Sequence, residues 1–102
     1  MFETLIQKLQ EDRFLTLETT PQHEPSMHNI IERIKKFKLQ DRVDGFSCTD
    51  NPLAKLKYNA LFASLKLQME FKKPVIATMS MRDRNKIALQ SDLMGANDFD
   101  VR

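Results

Sequence analysis

The sequence has one cysteine, two glycines, no tryptophan and a single tyrosine in 102 residues. A lone Cys48 cannot form an intrachain disulfide or a cysteine-based metal cluster, and a reduced, cytoplasmic setting is the simplest expectation. With two glycines, neither a Walker phosphate loop nor a GxGxxG fingerprint can be written. No run approaches the ~20 apolar residues of a membrane span. Residues 1–6 alternate in polarity instead of forming a signal-peptide core, so no membrane partner is expected. An excess of one charge is also missing: 16 Lys+Arg stand against 14 Asp+Glu, a formal charge of +2. That gives no broad field for nucleic acid, and there is no aromatic-basic platform to read bases. No nucleic-acid partner is expected.

What is present is an ordinary globular mixture, 41% hydrophobic and 29% charged, of a length that suits one small domain or a piece of a larger one. The charge is unevenly spread. Residues 1–51 hold seven basic and nine acidic groups, and residues 52–102 hold nine basic and five acidic. Phe2, Leu5, Ile6 and Leu9 recur at helical spacing and predict a short helix over 2–12. A strand is predicted over 14–20, stopped by Pro21. Ser26 is placed to cap a second helix with the stripe Ile30, Ile31, Ile34 and Phe37. A second strand follows over 43–49, then a third helix with Leu61, Phe62, Leu65 and Met69 on its apolar side. Pro74 introduces a third strand over 75–81. Asn85 is placed to cap a last helix through Ile87, Leu89 and Leu93, with Gly95 as its stop.

Strand centres fall near Leu17, Phe46 and Ala77, spaced 29 and 31 residues apart, the length of a parallel βα crossover unit. The rhythm places a further strand near position 101. Alternation within the strands gives one apolar face, Leu15, Leu17, Phe46, Cys48, Val75, Ala77 and Met79. The other face is polar, with Thr16, Glu18, Thr20, Ser47, Thr49, Thr78, Ser80 and Arg82. A doubly wound open sheet buries both faces under helices and needs both apolar. A polar second face suits the wall of a closed barrel, whose site lies at the carboxyl ends of the strands. The predicted architecture is therefore α/β: three consecutive βα units with parallel strands, the N-terminal part of a (β/α)8 TIM barrel, preceded by a short helix. The whole of 1–102 forms a single partial domain. A complete barrel takes about 250 residues, so three units leave two unpaired edges, and self-association or a complementing chain is expected.

Among residues that could carry chemistry, Glu18 stands out because it lies in a strand and points to the polar face. A carboxyl group partly withdrawn from water can hold and donate a proton near neutral pH. The plain alternative is an ion pair with Arg82. Residues 82–85, Arg-Asp-Arg-Asn, end the third strand and open a helix, where backbone N–H groups and arginines can bind an anion. The plainer reading there is a helix cap with both arginines in water. Thr49, Asp50, Asn51 and Pro52 could bind ligand hydroxyls or ring nitrogens, or could simply make a turn. His23 and His28 lack a further ligand and read as surface residues. Cys48 reads as a small buried hydrophobe, Met79 and Met81 as core filler, and Lys35, Lys36 and Lys38 as the wet face of a helix.

Three segments together carry a resemblance: Leu17-Glu18-Thr19-Thr20-Pro21; Gly45-Phe46-Ser47-Cys48-Thr49-Asp50-Asn51-Pro52-Leu53-Ala54; and the run from Met81-Arg82-Asp83-Arg84-Asn85 through Ser91-Asp92-Leu93-Met94-Gly95-Ala96. In this order and spacing they resemble the Arg-Asp-Arg-Asn branch of the methylenetetrahydrofolate reductase family. The resemblance implies a (β/α)8 barrel with FAD over the carboxyl ends of its strands, and an oxidoreductase of one-carbon metabolism serving methionine biosynthesis. The implied reaction reduces 5,10-methylenetetrahydrofolate to 5-methyltetrahydrofolate. A reduced nicotinamide or another electron donor reduces the flavin, which passes a hydride to the folate's methylene carbon. Glu18 aligns with the family's general acid, which protonates a ring nitrogen so that the five-membered ring can open. Thr49 aligns with a flavin-contacting threonine and Asp50 lies beside it. Thr78 stands where many members carry a histidine near the flavin. The family's fourth-strand Gly-Asp pair and its later folate-binding residues have no counterpart within these 102 residues. A barrel remnant acting as an interaction or oligomerisation module is the alternative expectation.

Overall fold

The computed structural model describes residues 1–101. Its elements run α1 (Phe2–Glu11), β1 (Thr16–Thr19), α2 (His28–Lys36), β2 (Gly45–Cys48), α3 (Ala60–Phe71), β3 (Val75–Ala77) and α4 (Lys86–Asp98), with 3-10 turns at Leu39–Arg42 and Pro52–Ala54. The strands form one sheet in the order β1-β2-β3, parallel throughout. The chain is thus α/β, with helices alternating with strands, as the repeat of about 30 residues requires. Each strand is shorter than its sequence pattern. β3 stops at Ala77, so Met79, Ser80 and Met81 lie in the loop beyond it.

Register fixes the faces. Leu17 pairs with Phe46 and Thr19 with Cys48, while Phe46 pairs with Val75 and Cys48 with Ala77. These side chains share one face, and there Phe46, Cys48 and Val75 pack with Met27, Ile31 and Ile34 from α2 and its entry and with Ala63 and Leu67 of α3. Phe46 also meets Phe71 in a tilted ring contact with centroids 5.2 Å apart. The opposite row, Glu18, Ser47 and Ile76, carries no part of this core.

The third helix corrects the expected stripe. Ala60, Ala63, Ser64, Leu67 and Gln68 are its buried residues, whereas Phe62 and Met69 are each 62% exposed. Small side chains let the helix axis approach the sheet, and Ser64 hides its hydroxyl by donating to the Ala60 carbonyl at 2.8 Å. The larger side chains then face outward and toward α4. Phe37 and Met81 also lie outside the core, at 59% and 73% exposure.

Helix ends follow from the scarcity of glycine. Asn85 caps α4 as expected, its side chain accepting from the Ala88 N–H at 2.8 Å, but the helix runs through Gly95 to Asp98. It ends instead in a Schellman motif. The Val101 N–H donates to the Ala96 carbonyl at 2.9 Å and the Asp100 N–H to Asn97 at 3.1 Å, with Asp100 at φ 55°. Lys38 after α2 and Lys72 after α3 take the same left-handed role, at φ 51° and 54°. Ser26, the expected cap, lies one position before the N-cap that α2 takes, which is Met27; the Ser26 Oγ still accepts from the His28 N–H at 3.0 Å.

Gly45 is needed for space. A Cβ there would collide with the Pro74 backbone oxygen and lie 2.7 Å from the Phe14 ring. α1 crosses near the amino ends of the strands. Lys8 reaches Asp44 just before β2, at 4.0 Å. The Met1 amino group pairs at 3.0 Å with Asp100, just after α4.

Candidate functional site

At the carboxyl ends of the strands the helix-free face gathers short polar side chains. The Thr49 N–H donates to the Thr19 carbonyl and the Thr78 N–H to the Cys48 carbonyl, both at 3.1 Å. These bonds extend the ladder past the last paired residues and set Thr20, Thr49 and Thr78 in one row across three strands. The Thr49 hydroxyl donates to the Thr20 hydroxyl at 3.1 Å. Glu18 is two residues below Thr20 on the same face, beside Ser47. Glu18, Thr20 and Thr78 are exposed, and Thr49 and Ser47 are half-buried. Glu18 forms no ion pair or side-chain hydrogen bond among the described residues, and the expected alternative partner, Arg82, pairs instead with Asp83 at 2.6 Å.

Asp50 is placed differently from Thr49. Its side chain is 1% exposed and meets Arg84 Nη1 at 2.5 Å. The same Oδ2 accepts from the Ser80 N–H at 2.7 Å, and Oδ1 accepts from Asn51 Nδ2 at 3.3 Å. Arg84 also donates to the Ser80 carbonyl at 2.8 Å and, through Nε, to Asp92 on α4 at 3.0 Å. The carboxylate of Asp50 beside it, with Asp92 adding to the effect, raises the Arg84 guanidinium's already high pKa. Asp50 thus ties the loop after β2 to the loop after β3 and to α4, and its oxygens are occupied by these bonds.

Residues 82–85 split in role. Asn85 caps the helix, Arg84 is 12% exposed and held between two carboxylates, and Arg82 lies at the surface, donating to the Asn51 carbonyl at 3.1 Å. The sequence reading of two solvated arginines holds for Arg82 and fails for Arg84. The buried link is visible in the repeat, because Asp50 and Arg84 follow equivalent strand ends in consecutive units. The loop between them carries strain: Asn51, Leu53 and Ala54 sit at φ 44°, 58° and 57°, a region costly for residues with a Cβ.

Cys48 lies on the helix-facing side, away from this row. Burial pushes its thiol pKa up, and a hydrogen bond with Ser64 partly offsets that. His23 and His28 are exposed.

The row can do two things chemically. Its hydroxyls can donate to or accept from a planar ligand laid across the strand ends, and Glu18 can exchange a proton with a ligand atom above it. No family model, curated protein or solved structure matches the chain. No helix among the described residues is long and apolar enough to cross a membrane.

Proposed function

We propose that this chain forms part of the wall of a (β/α)8 barrel reductase of the methylenetetrahydrofolate reductase type, in which Glu18 is the proton donor. The observation that carries the reading is that Glu18, Thr20, Thr49 and Thr78 share the helix-free face of a parallel sheet, grouped toward its carboxyl edge. That is where a barrel holds its substrate. The family resemblance of the three sequence segments supplies the reaction.

A flavin such as FAD fits the hydroxyl row and would supply two-electron hydride chemistry there. Thr49 and Thr20 already share a hydrogen bond, so their remaining lone pairs and the free Thr20 proton are positioned for a ring edge. Thr78 adds a third hydroxyl in the position where the resembled family often has histidine. Asp50 serves this reading through position: its carboxylate is committed to Arg84 and Ser80, and it fixes the backbone from which Thr49 projects. Glu18 points to the same face with no competing partner among the described residues, and would donate its proton to a ring nitrogen of a folate substrate. Proton donation makes that nitrogen a leaving group and leaves a carbon able to accept hydride. The remaining strands of the barrel would enclose this face and withdraw Glu18 from water. Reduced nicotinamide, or another donor, supplies the electrons.

The test is a barrel completed with complementary strand–helix units, assayed for bound flavin and for donor-dependent reduction of methylenetetrahydrofolate. Glu18→Gln should lower turnover by about 10²–10⁴-fold with flavin retained. A completed barrel that binds no flavin, or a Glu18→Gln form with undiminished turnover, overturns the reading.

A further inference from the structure

We propose that the groove between the free edge of β3 and α4 takes β1 of a second copy of this chain, in parallel, so that copies associate head to tail. The groove arises from the order of elements. α3 packs against both β2 and β3, the two strands that flank it in sequence. α4 follows β3, and the described sheet has no strand on β3's outer side. As a result α4 buries none of its own residues. Ala77, Met79, Leu93, Ala96 and Val101 line the groove; Leu93 is 54% exposed and Val101 3%.

The backbone of β3 is set for such a partner. The Pro74 carbonyl accepts from the Phe46 N–H, and the Thr78 N–H donates to Cys48, so even-numbered amides turn toward β2. In a parallel ladder the intervening amides, Ala77 among them, then point to the free edge. β1 presents the complement. The carbonyls of Leu15 and Thr19 accept from β2 and its approach, which leaves the amides of Thr16 and Glu18 on the outer edge. An exposed row of this kind is a template for strand addition.

Side chains and charge select the same pairing. Helices lie on one face only of this sheet, so a copy of β1 seated in parallel beside β3 turns Leu15 and Leu17 toward Leu93 and Ala96. Leu15 is 50% exposed in the single chain. The edge formed by β1 and α2, residues 13–38, holds five basic and three acidic groups, and the β3–α4 edge, residues 74–101, three basic and four acidic. Head-to-tail contact sets net basic against net acidic. A two-fold contact of β3 with β3 would run antiparallel and oppose two net acidic edges.

The proposal needs no flavin, so its failure leaves the reductase reading standing, and the reverse also holds. Sedimentation of the 102-residue chain without cofactor should show concentration-dependent self-association. Leu93→Glu spoils the groove and Leu15→Glu spoils the strand. Both residues are about half exposed, so each variant should keep its circular dichroism spectrum and sediment as a monomer. An equimolar mixture of the two retains one intact groove and one intact β1, and should restore a one-to-one dimer. Leu93→Ser and Leu15→Ser serve if a charged variant loses its fold. A wild-type monomer at all concentrations, a Leu15 variant that still self-associates, or a mixture that stays monomeric would each overturn the proposal.

Discussion

Replacing Asp50 by Ala removes the acceptor that joins two loops and α4. Asp50 is 1% exposed and Arg84 12%, so water replaces little of what is lost. Breaking a buried pair by deleting one partner costs about 3–5 kcal/mol, mostly for the charge left behind. Asp92 still holds Arg84 Nε, which places the cost at the low end, about 3 kcal/mol. The stranded Ser80 N–H is part of that cost. Against a total stability of about 5–15 kcal/mol, the change should lower the melting temperature by roughly 12–24 °C. Urea denaturation followed by circular dichroism gives the free energy directly. Asp50→Asn keeps an acceptor for Ser80 and should fall between wild type and Asp50→Ala. A double-mutant cycle of Asp50→Ala with Arg84→Met should show clear coupling, while the exposed Arg82–Asp83 pair should show none that can be measured. If Asp50→Ala unfolds within about 0.5 kcal/mol of wild type, the assignment of Asp50 as the tie between the loops is wrong.

Two further outcomes follow from the core. Gly45→Ala sets a methyl group against the Pro74 carbonyl and the Phe14 ring, and since backbone cannot yield as a side-chain tip does, it should cost about 1–3 kcal/mol in the same assay. An unchanged urea midpoint would contradict the packing at that position. Cys48 is raised from an ordinary thiol value of 9.0 by burial, so the folded chain prefers the neutral thiol more than the unfolded chain does. Its contribution to stability is therefore complete below about pH 9 and declines as pH rises from there through the folded pKa. Urea midpoints measured across that range should fall more steeply for wild type than for Cys48→Ala, and equal slopes would refute the assignment. A thiol reagent should react with Cys48 only as fast as the chain opens.

The strands were legible because a parallel sheet with helices on one face keeps a two-residue alternation, and Leu17, Phe46, Cys48 and Val75 obey it. The row of Thr20, Thr49 and Thr78 follows from the same alternation once the register is known. The buried side of the third helix is not legible from its sequence, because its largest residues are not the ones in the core. The sheet accepts Ala60, Ala63, Ser64 and Leu67 instead, and hydrophobicity alone does not say which apolar side of a helix lies nearer a strand. Gly95 misled for a related reason. Glycine favours a helix end without requiring one, and here the left-handed position falls to Asp100, whose N–H and that of Val101 complete the cap. The Asp50–Arg84 pair is not legible from local spacing, because each residue reads as part of its own loop. Only the repeat brings positions 50 and 84 to the same end of adjacent strands.

The two apolar sides of α3 and the unburied α4 have a common physical cause. A helix in a βα repeat sits over the gap between its own two strands, and its flanks touch the helices on either side. α3 has both strands, so its small residues seat on the sheet while Leu61, Phe62 and Leu65 turn to a groove shared with Gly95, Ala96 and Phe99 of the α4 segment. Among the described residues α4 has one flanking strand, and Ile87, Leu93 and Met94 are exposed. One added parallel strand at β3 supplies the missing half of the seat for α4. It also pairs the free amides of the edge and encloses one more side of the polar row above Glu18. The surface that invites association therefore continues the wall on which the proposed chemistry depends. Strand addition that left α4's apolar residues as exposed as before would break that link.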